Sequence, residues 1–129
     1  MTRWTNGADE TRVVSPNITD ETNALPANCF TDPEIWELEK ETIFSQYWLY
    51  AGHENCIPEA GDYFTRTIGD RQVIVARDED GDVRVFYNVC AHRGSKMVEE
   101  TPMTDPWNMG RIQCPYHLWT YDLDGSLRS

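Results

Sequence analysis

Two short segments of this 129-residue chain concentrate the side chains that bind metals. Cys90-Ala91-His92 and Cys114-Pro115-Tyr116-His117 give C-x-H, then 21 intervening residues, then C-x-x-H. Each segment follows a stretch with strand character, so each Cys and His can project from a tight loop at one end of a small β domain. Two thiols and two imidazoles on paired loops make a complete four-donor set. A fold that uses them together must carry two loops, distant in sequence, to the same end.

The pairing of donor types separates two kinds of centre. A closed tetrahedral zinc site uses the same residues, but usually brings them as C-x₂₋₄-C and H-x₃₋₅-H. Here each loop carries one of each type. That mixing suits a two-iron cluster in which Cys90 and Cys114 hold one iron and His92 and His117 the other. Both loops then grip both irons, so the centre acts as a structural staple as well as a redox group. A zinc-stabilised binding module without redox chemistry stays open as the alternative.

Charge and length narrow the remaining classes. With 11 basic against 22 acidic side chains, the net charge is −11. Nucleic-acid binding rests on phosphate neutralisation, and this chain has no such footprint. The same charge disfavours anionic membrane surfaces, and the longest aliphatic run, Val73 to Ala76, cannot span a bilayer. The first residues contain no apolar signal core, so a cytoplasmic protein is expected, with its four cysteines as ligands or free thiols.

The local pattern predicts a mainly β fold, a small antiparallel sandwich or barrel with an N-terminal α-helix. Residues 1–30 read as an irregular arm. Thr31-Asp32-Pro33-Glu34 reads as a capping box, Thr31 to Glu34, opening a helix over about 32–46 whose Trp36, Ile43, Phe44, Tyr47 and Trp48 share a face. Strands are expected at Trp48–His53, Tyr63–Ile68, Gln72–Arg77, Val83–Asn88, Arg111–Gln113 and Leu118–Tyr121. A Gly69-Asp70 turn of type II′ joins the second to the third. The acidic turn Asp78–Asp82 reads as a solvated loop. The domain proper is expected over 31–129.

Phe86-Tyr87-Asn88-Val89-Cys90-Ala91-His92-Arg93-Gly94 and Cys114-Pro115-Tyr116-His117-Leu118-Trp119-Thr120-Tyr121-Asp122-Leu123-Asp124-Gly125 resemble the Rieske domain of Rieske non-heme iron oxygenases, the alpha subunits of aromatic-ring-hydroxylating and related enzymes. The likeness extends upstream through the helix, Trp48–His53, Gly61-Asp62-Tyr63 and Arg77, covering about 30–128. It implies a [2Fe–2S] cluster on Cys90, His92, Cys114 and His117. It also implies an electron-transfer role between a reductase or ferredoxin and a mononuclear iron in a catalytic domain. Respiratory Rieske proteins carry an extra cysteine in each ligand loop, and this chain carries none, which implies a potential toward the low end of the Rieske range. A free-standing Rieske ferredoxin is the alternative; the helix ending in Tyr47-Trp48 resembles the oxygenase entry instead.

By the same resemblance, His117 is the electron outlet, facing a neighbouring subunit of a homotrimer. Arg93 and Gly94 are expected to shape the first loop, Gly94 by close backbone approach and Arg93 by hydrogen bonds to carbonyls. Tyr116 belongs to the cluster environment, and Trp119 reads as a water-excluding shield. The family usually has Gly after the second His. Leu118 stands there, so an ordinary backbone conformation is expected at that position. His53 reads as a satisfied histidine, Cys29 and Cys56 as ordinary thiols, and Trp107 and Met109 as loop packing. The chain has three histidines, and with two on the cluster only His53 is left. A two-His-one-carboxylate iron triad cannot be built from one. Oxygenation by this chain alone is therefore not expected; the catalytic domain and a closing strand are expected to be missing, through a fragment, a truncated product or a split subunit.

Overall fold

The computed structural model describes Leu25 and residues 27–129, divided into two compact units at Tyr47/Trp48. Most of the arm expected over 1–30 lies outside the described residues; Ala27–Phe30 form a 3₁₀ turn.

The expected helix exists but is shorter. Helix α1 spans Pro33–Glu39 and passes into a π-helical turn, Lys40–Phe44. Its N-cap is Asp32 rather than Thr31: the Asp32 carboxylate accepts the Glu34 N–H at 2.9 Å, and Thr31 Oγ1 turns back to the Ala27 carbonyl. An Asx cap satisfies the same orphan donor with one residue less, and Pro33 then occupies N1, where its missing N–H costs nothing. The ladder widens where Thr42 and Ser45 donate to the carbonyls of Leu38 and Glu41, competing with backbone donors.

In the second unit, four strands form one antiparallel sheet: β1 (Asp62–Ile68), β2 (Arg71–Arg77), β3 (Val83–Tyr87) and β4 (Trp107–Asn108), in the order β3-β2-β1-β4. Ile68 pairs with Arg71 across Gly69-Asp70, and Gly69 has φ 62° while Asp70 keeps negative φ, as a type II′ turn requires. β2 reads Val-Ile-Val-Ala without alternation because both of its faces are covered. Ile74 and Ala76 pack with Tyr63, Ile112 and Leu123 on one face; Val73 and Val75 pack with Phe64 and Ile57 on the other. Phe64 and Ile74 are fully buried, each contributing roughly 1.5–3 kcal/mol of transfer energy. A separate hairpin, β5 (Ile112–Gln113) with β6 (Thr120–Tyr121), lies on the first face through Ile112. Leu127 bridges antiparallel to Tyr121.

Trp48–His53 is not a strand. It runs without ladder partners into the 3₁₀ turn Glu54–Cys56, which His53 caps by accepting the Asn55 N–H at Nδ1, 3.1 Å. Of its apolar residues Ala51 packs on the Phe64 face, while Trp48 and Tyr50 are exposed. Arg77 ties the turn down, donating to the carbonyls of Ile57, Glu54 and Gly81. β4 is an unanticipated strand made of loop residues; Trp107 on it is exposed, while Met109 packs against the core. The acidic turn is only partly a solvated loop. Asp78 is buried, accepts the N–H groups of Asp80 and Asp82, and pairs with Arg84 at 2.7 Å. The Arg84 guanidinium, with those amides, holds its carboxyl below the usual carboxylate range.

Candidate metal centre

β3 delivers the first loop and β5 the second, and the two loops are built on one backbone circuit. In the first, the Cys90 N–H donates to the Ser95 carbonyl at 2.8 Å, and the Gly94 N–H returns to the Cys90 carbonyl at 2.9 Å. In the second, the Cys114 N–H donates to Trp119 O at 2.8 Å, and the Leu118 N–H returns to Cys114 O at 3.0 Å. Each circuit closes through a residue in the left-handed region: Gly94 at φ 71° and Leu118 at φ 62°.

Leu118 therefore corrects the expectation of an ordinary backbone. It is the one non-glycine residue with positive φ among the described residues. That conformation costs an L-residue roughly 1–2 kcal/mol, and the loop enforces it by pinning the Leu118 N–H on Cys114 and its carbonyl on Thr120 Oγ1, 2.9 Å. At Gly94 a Cβ would meet no protein atom within 4 Å, so what the surrounding protein asks of glycine there is the positive φ. The Arg93 side chain is exposed, and among the described residues no carbonyl accepts from it; its backbone N–H helps lower the Cys90 thiol.

The donors divide by burial. Cys90 and Cys114 are each 2% exposed. His92 and His117 are exposed, their ring centroids 4.9 Å apart. Trp119 of the second loop stacks on His92 of the first at 4.6 Å and 5°, half-buried, which gives the shield a defined target. Tyr116 lies on His117 at 3.8 Å, itself exposed.

Two residues not singled out from the sequence complete the site. The Tyr121 hydroxyl lies 3.4 Å from Cys90 Sγ. This contact pulls the Cys90 thiol below its ordinary value against the opposing effect of burial, aided by the N–H groups of His92 and Arg93 and by Cys114. Reciprocally, Cys90 is the main cause that holds the Tyr121 phenol above its ordinary value, and either atom of the pair can donate. Asn88, buried at the end of β3, donates to Gln72 Oε1 and Val98 O at 2.8 Å and accepts the Met97 and Val98 N–H groups at 3.0 Å. It holds the return of the first loop against the sheet. Tyr121 lies four residues past His117 on a strand whose other neighbour is core, so its alternation could have flagged it.

The donor set fits a two-metal centre. Among the described residues, no three His, Cys, Asp or Glu side chains converge where one ion could bind them, whereas a tetrahedral zinc needs four donors about one point. Two thiols side by side in a dry pocket and two imidazoles side by side at the surface match one ion each, with sulfur and nitrogen segregated.

Twin ligand loops on an antiparallel sheet, with buried sulfurs and exposed imidazoles, define a Rieske domain. Residues 47–129 match the Rieske [2Fe-2S] domain family, and the chain belongs to it; its cofactor is the [2Fe–2S] cluster. It is 40% identical over 105 residues to the glycine betaine monooxygenase oxygenase subunit of Chromohalobacter salexigens, covering 81% of this chain and 23% of that one. The crystal structure of naphthalene 1,2-dioxygenase from Rhodococcus sp. superposes with TM-score 0.74 at 42% identity, over 81% of this chain and 23% of that one. A quaternary ammonium Rieske monooxygenase, described for carnitine oxidation and inter-subunit electron transfer, superposes with TM-score 0.72 at 36% identity, over 81% and 27%. The chain thus spans about a quarter of the length of the curated relatives it matches. Among the described residues, no helix is long and apolar enough to cross a membrane.

Proposed function

We propose that this chain is the electron-transfer domain of a Rieske non-heme iron oxygenase alpha subunit, with Cys90 and Cys114 on one iron and His92 and His117 on the other. When bound, the cluster supplies one-electron relay between a reductase or ferredoxin and a mononuclear iron site that this chain does not contain. The observation that carries the reading is the division of the donors, with thiols buried beside Tyr121 and imidazoles paired at the surface.

Each residue then has a part. The sulfurs sit where water is excluded, and the Tyr121 hydroxyl with the His92 and Arg93 N–H groups stabilises negative charge on Cys90. Trp119 fixes the plane of His92 and covers one of its faces. His117 presents its ring edge to solvent as the outlet, facing a catalytic domain in the same or a neighbouring subunit. The neighbour described for inter-subunit electron transfer supports that arrangement, and we read the intact, longer subunit as a homotrimer. Residues 31–129 form the functional domain, and the compartment is the cytoplasm.

Metal analysis with visible absorption tests this. The purified chain is expected to be coloured, to hold two irons with two acid-labile sulfides, and to bleach reversibly on reduction. It is expected to consume no oxygen without a second iron protein. A colourless protein with one zinc per chain contradicts the assignment.

A further inference from the structure

Thr120 is buried on β6 and held there by its backbone. Its N–H donates to the Ser129 carbonyl at 2.7 Å, and its carbonyl accepts the Arg128 N–H at 2.8 Å. Its hydroxyl is as fully committed. The hydroxyl donates to the Leu118 carbonyl at 2.9 Å, and Oγ1 accepts from Nε2 of Gln113, its cross-strand partner on β5, at 3.1 Å. Gln113 occupies a lone pair, so the one hydroxyl hydrogen is left for Leu118. A buried hydroxyl with both roles filled is a fixed point at the base of the second ligand loop.

That point restrains the strained joint of the loop. Leu118 lies at φ 62°, and its N–H donates to the Cys114 carbonyl at 3.0 Å. The N–H fixes the peptide plane on the His117 side of the Leu118 α-carbon, and Thr120 fixes the plane on the Trp119 side. With both planes held, neither φ nor ψ is free. Released, an L-residue favours the right-handed region over this one by roughly 5- to 30-fold. Trp119 is not free to absorb such a change, because its carbonyl accepts the Cys114 N–H at 2.8 Å. The movement would fall on the arc that carries His117, which packs on neither core cluster.

We infer that Thr120 is the positioning residue of the outlet: its hydroxyl, oriented by Gln113, keeps Leu118 left-handed, and that conformation sets the direction in which the His117 imidazole points. Thr120 acts through the Leu118 carbonyl and is not itself a ligand. Its role rests on the electron-transfer reading above and adds to it the residue that holds the outlet in place.

The test compares the cluster-loaded wild-type chain with Thr120→Val, Thr120→Ser, Leu118→Gly and the double variant Thr120→Val/Leu118→Gly. Valine keeps the shape and strand preference of threonine and loses the hydroxyl. Pulsed EPR on the dithionite-reduced, ¹⁵N-histidine-labelled chains reads the imidazoles, and the half-life of the visible absorption under a chelator reads the grip on the cluster. Thr120→Val is expected to shift one histidine coupling, to leave the other, and to shorten the half-life about tenfold. Thr120→Ser is expected to match the wild type in both. With Leu118→Gly the left-handed backbone carries no strain. Adding Thr120→Val to it is therefore expected to leave both couplings in place and to change the half-life by less than about twofold.

Unchanged couplings and half-life in Thr120→Val overturn the inference, as does a Thr120→Ser chain that behaves like Thr120→Val. A deficit as large in the Leu118→Gly background as in the native one assigns Thr120 to packing and likewise overturns it. Should Thr120→Val hold no cluster, the double variant decides: a coloured chain supports the positioning role and a colourless one overturns it. The wild-type spectrum separates the two levels. A colourless wild type defeats the electron-transfer reading and the positioning role with it, whereas a coloured one with unaltered Thr120→Val couplings defeats the positioning role alone.

Discussion

The two ligand loops share a hydrogen-bond circuit and differ in nearly everything built on it. The first closes through Gly94 with no strain and hangs from Asn88, a buried side chain engaged in four hydrogen bonds. The second closes through a strained Leu118 and is held by the short β5–β6 hairpin and the Thr120 hydroxyl. The imidazole of the first is stacked under Trp119 of the second, while the imidazole of the second has exposed Tyr116 against it and meets His92 edge to face. One loop is anchored and covered; the other is strained and open. Similar backbones thus present two chemically unequal histidines, a secured one and one free to meet a partner.

The largest expected effect removes the ligand that ties the loops together. Cys114→Ser should abolish cluster assembly, bringing iron from two per chain to near zero and leaving the cluster end unstructured, read by metal analysis and NMR. A stable coloured variant contradicts the shared-ligand assignment. Asn88→Ala strikes the anchor of the first loop alone. It strands four hydrogen-bonding groups beside the sheet, so a loss of about 3 kcal/mol is expected in denaturant unfolding of the loaded chain. A loss below about 1 kcal/mol would mean that the first loop is held otherwise.

Tyr121→Phe sharpens the comparison at the sulfurs. It withdraws a donor that favours the more negative, reduced state, so the potential should fall by roughly 20–60 mV in protein-film voltammetry. An unchanged potential would separate Tyr121 from the redox role. Exchanging the closing residues tests the strain directly. Gly94→Ala should cost about 1 kcal/mol without a clash, while Leu118→Gly should gain about 0.5–1 kcal/mol, the relief of left-handed strain less the entropy of glycine. Equal signs would contradict the twin circuit.

The smallest effect lies outside the loops, which contain no carboxylate. Asp78 and Asp124 both titrate below the ordinary range, Asp78 chiefly through Arg84 and Asp124 through the Ser126 N–H and hydroxyl. A carboxyl depressed in the folded state stabilises at pH values above its unfolded value, near about 4, and loses that stabilisation as pH falls through the folded value. The melting-temperature gap between wild type and Asp78→Asn should therefore close below about pH 4. A gap independent of pH would remove Asp78 from the acid response.

The hairpins were legible, and the four proposed donors stand out, because turn chemistry and spacing are local. Cys90, His92, Cys114 and His117 declare themselves by residue type, and Gly69-Asp70 by its turn. Trp48–His53 misleads because an apolar run reads alike whether it pairs in a ladder or runs beside the sheet with Trp48 and Tyr50 exposed. Leu118 misleads because propensity argues from the cheapest backbone, whereas the loop circuit dictates the conformation whatever residue occupies it. Asn88 and Tyr121 stayed hidden because their partners, Val98 and Cys90, are near only in the fold.

The central claim is that His92 and His117, one from each loop, would together hold one iron of the cluster. Pulsed EPR on the dithionite-reduced chain, grown with ¹⁵N-histidine, tests it most directly. The account predicts coupling to two histidine nitrogens, reduced to one in a His117→Cys variant that still holds iron. A reduced signal with no histidine coupling, or with coupling unchanged in that variant, would contradict it.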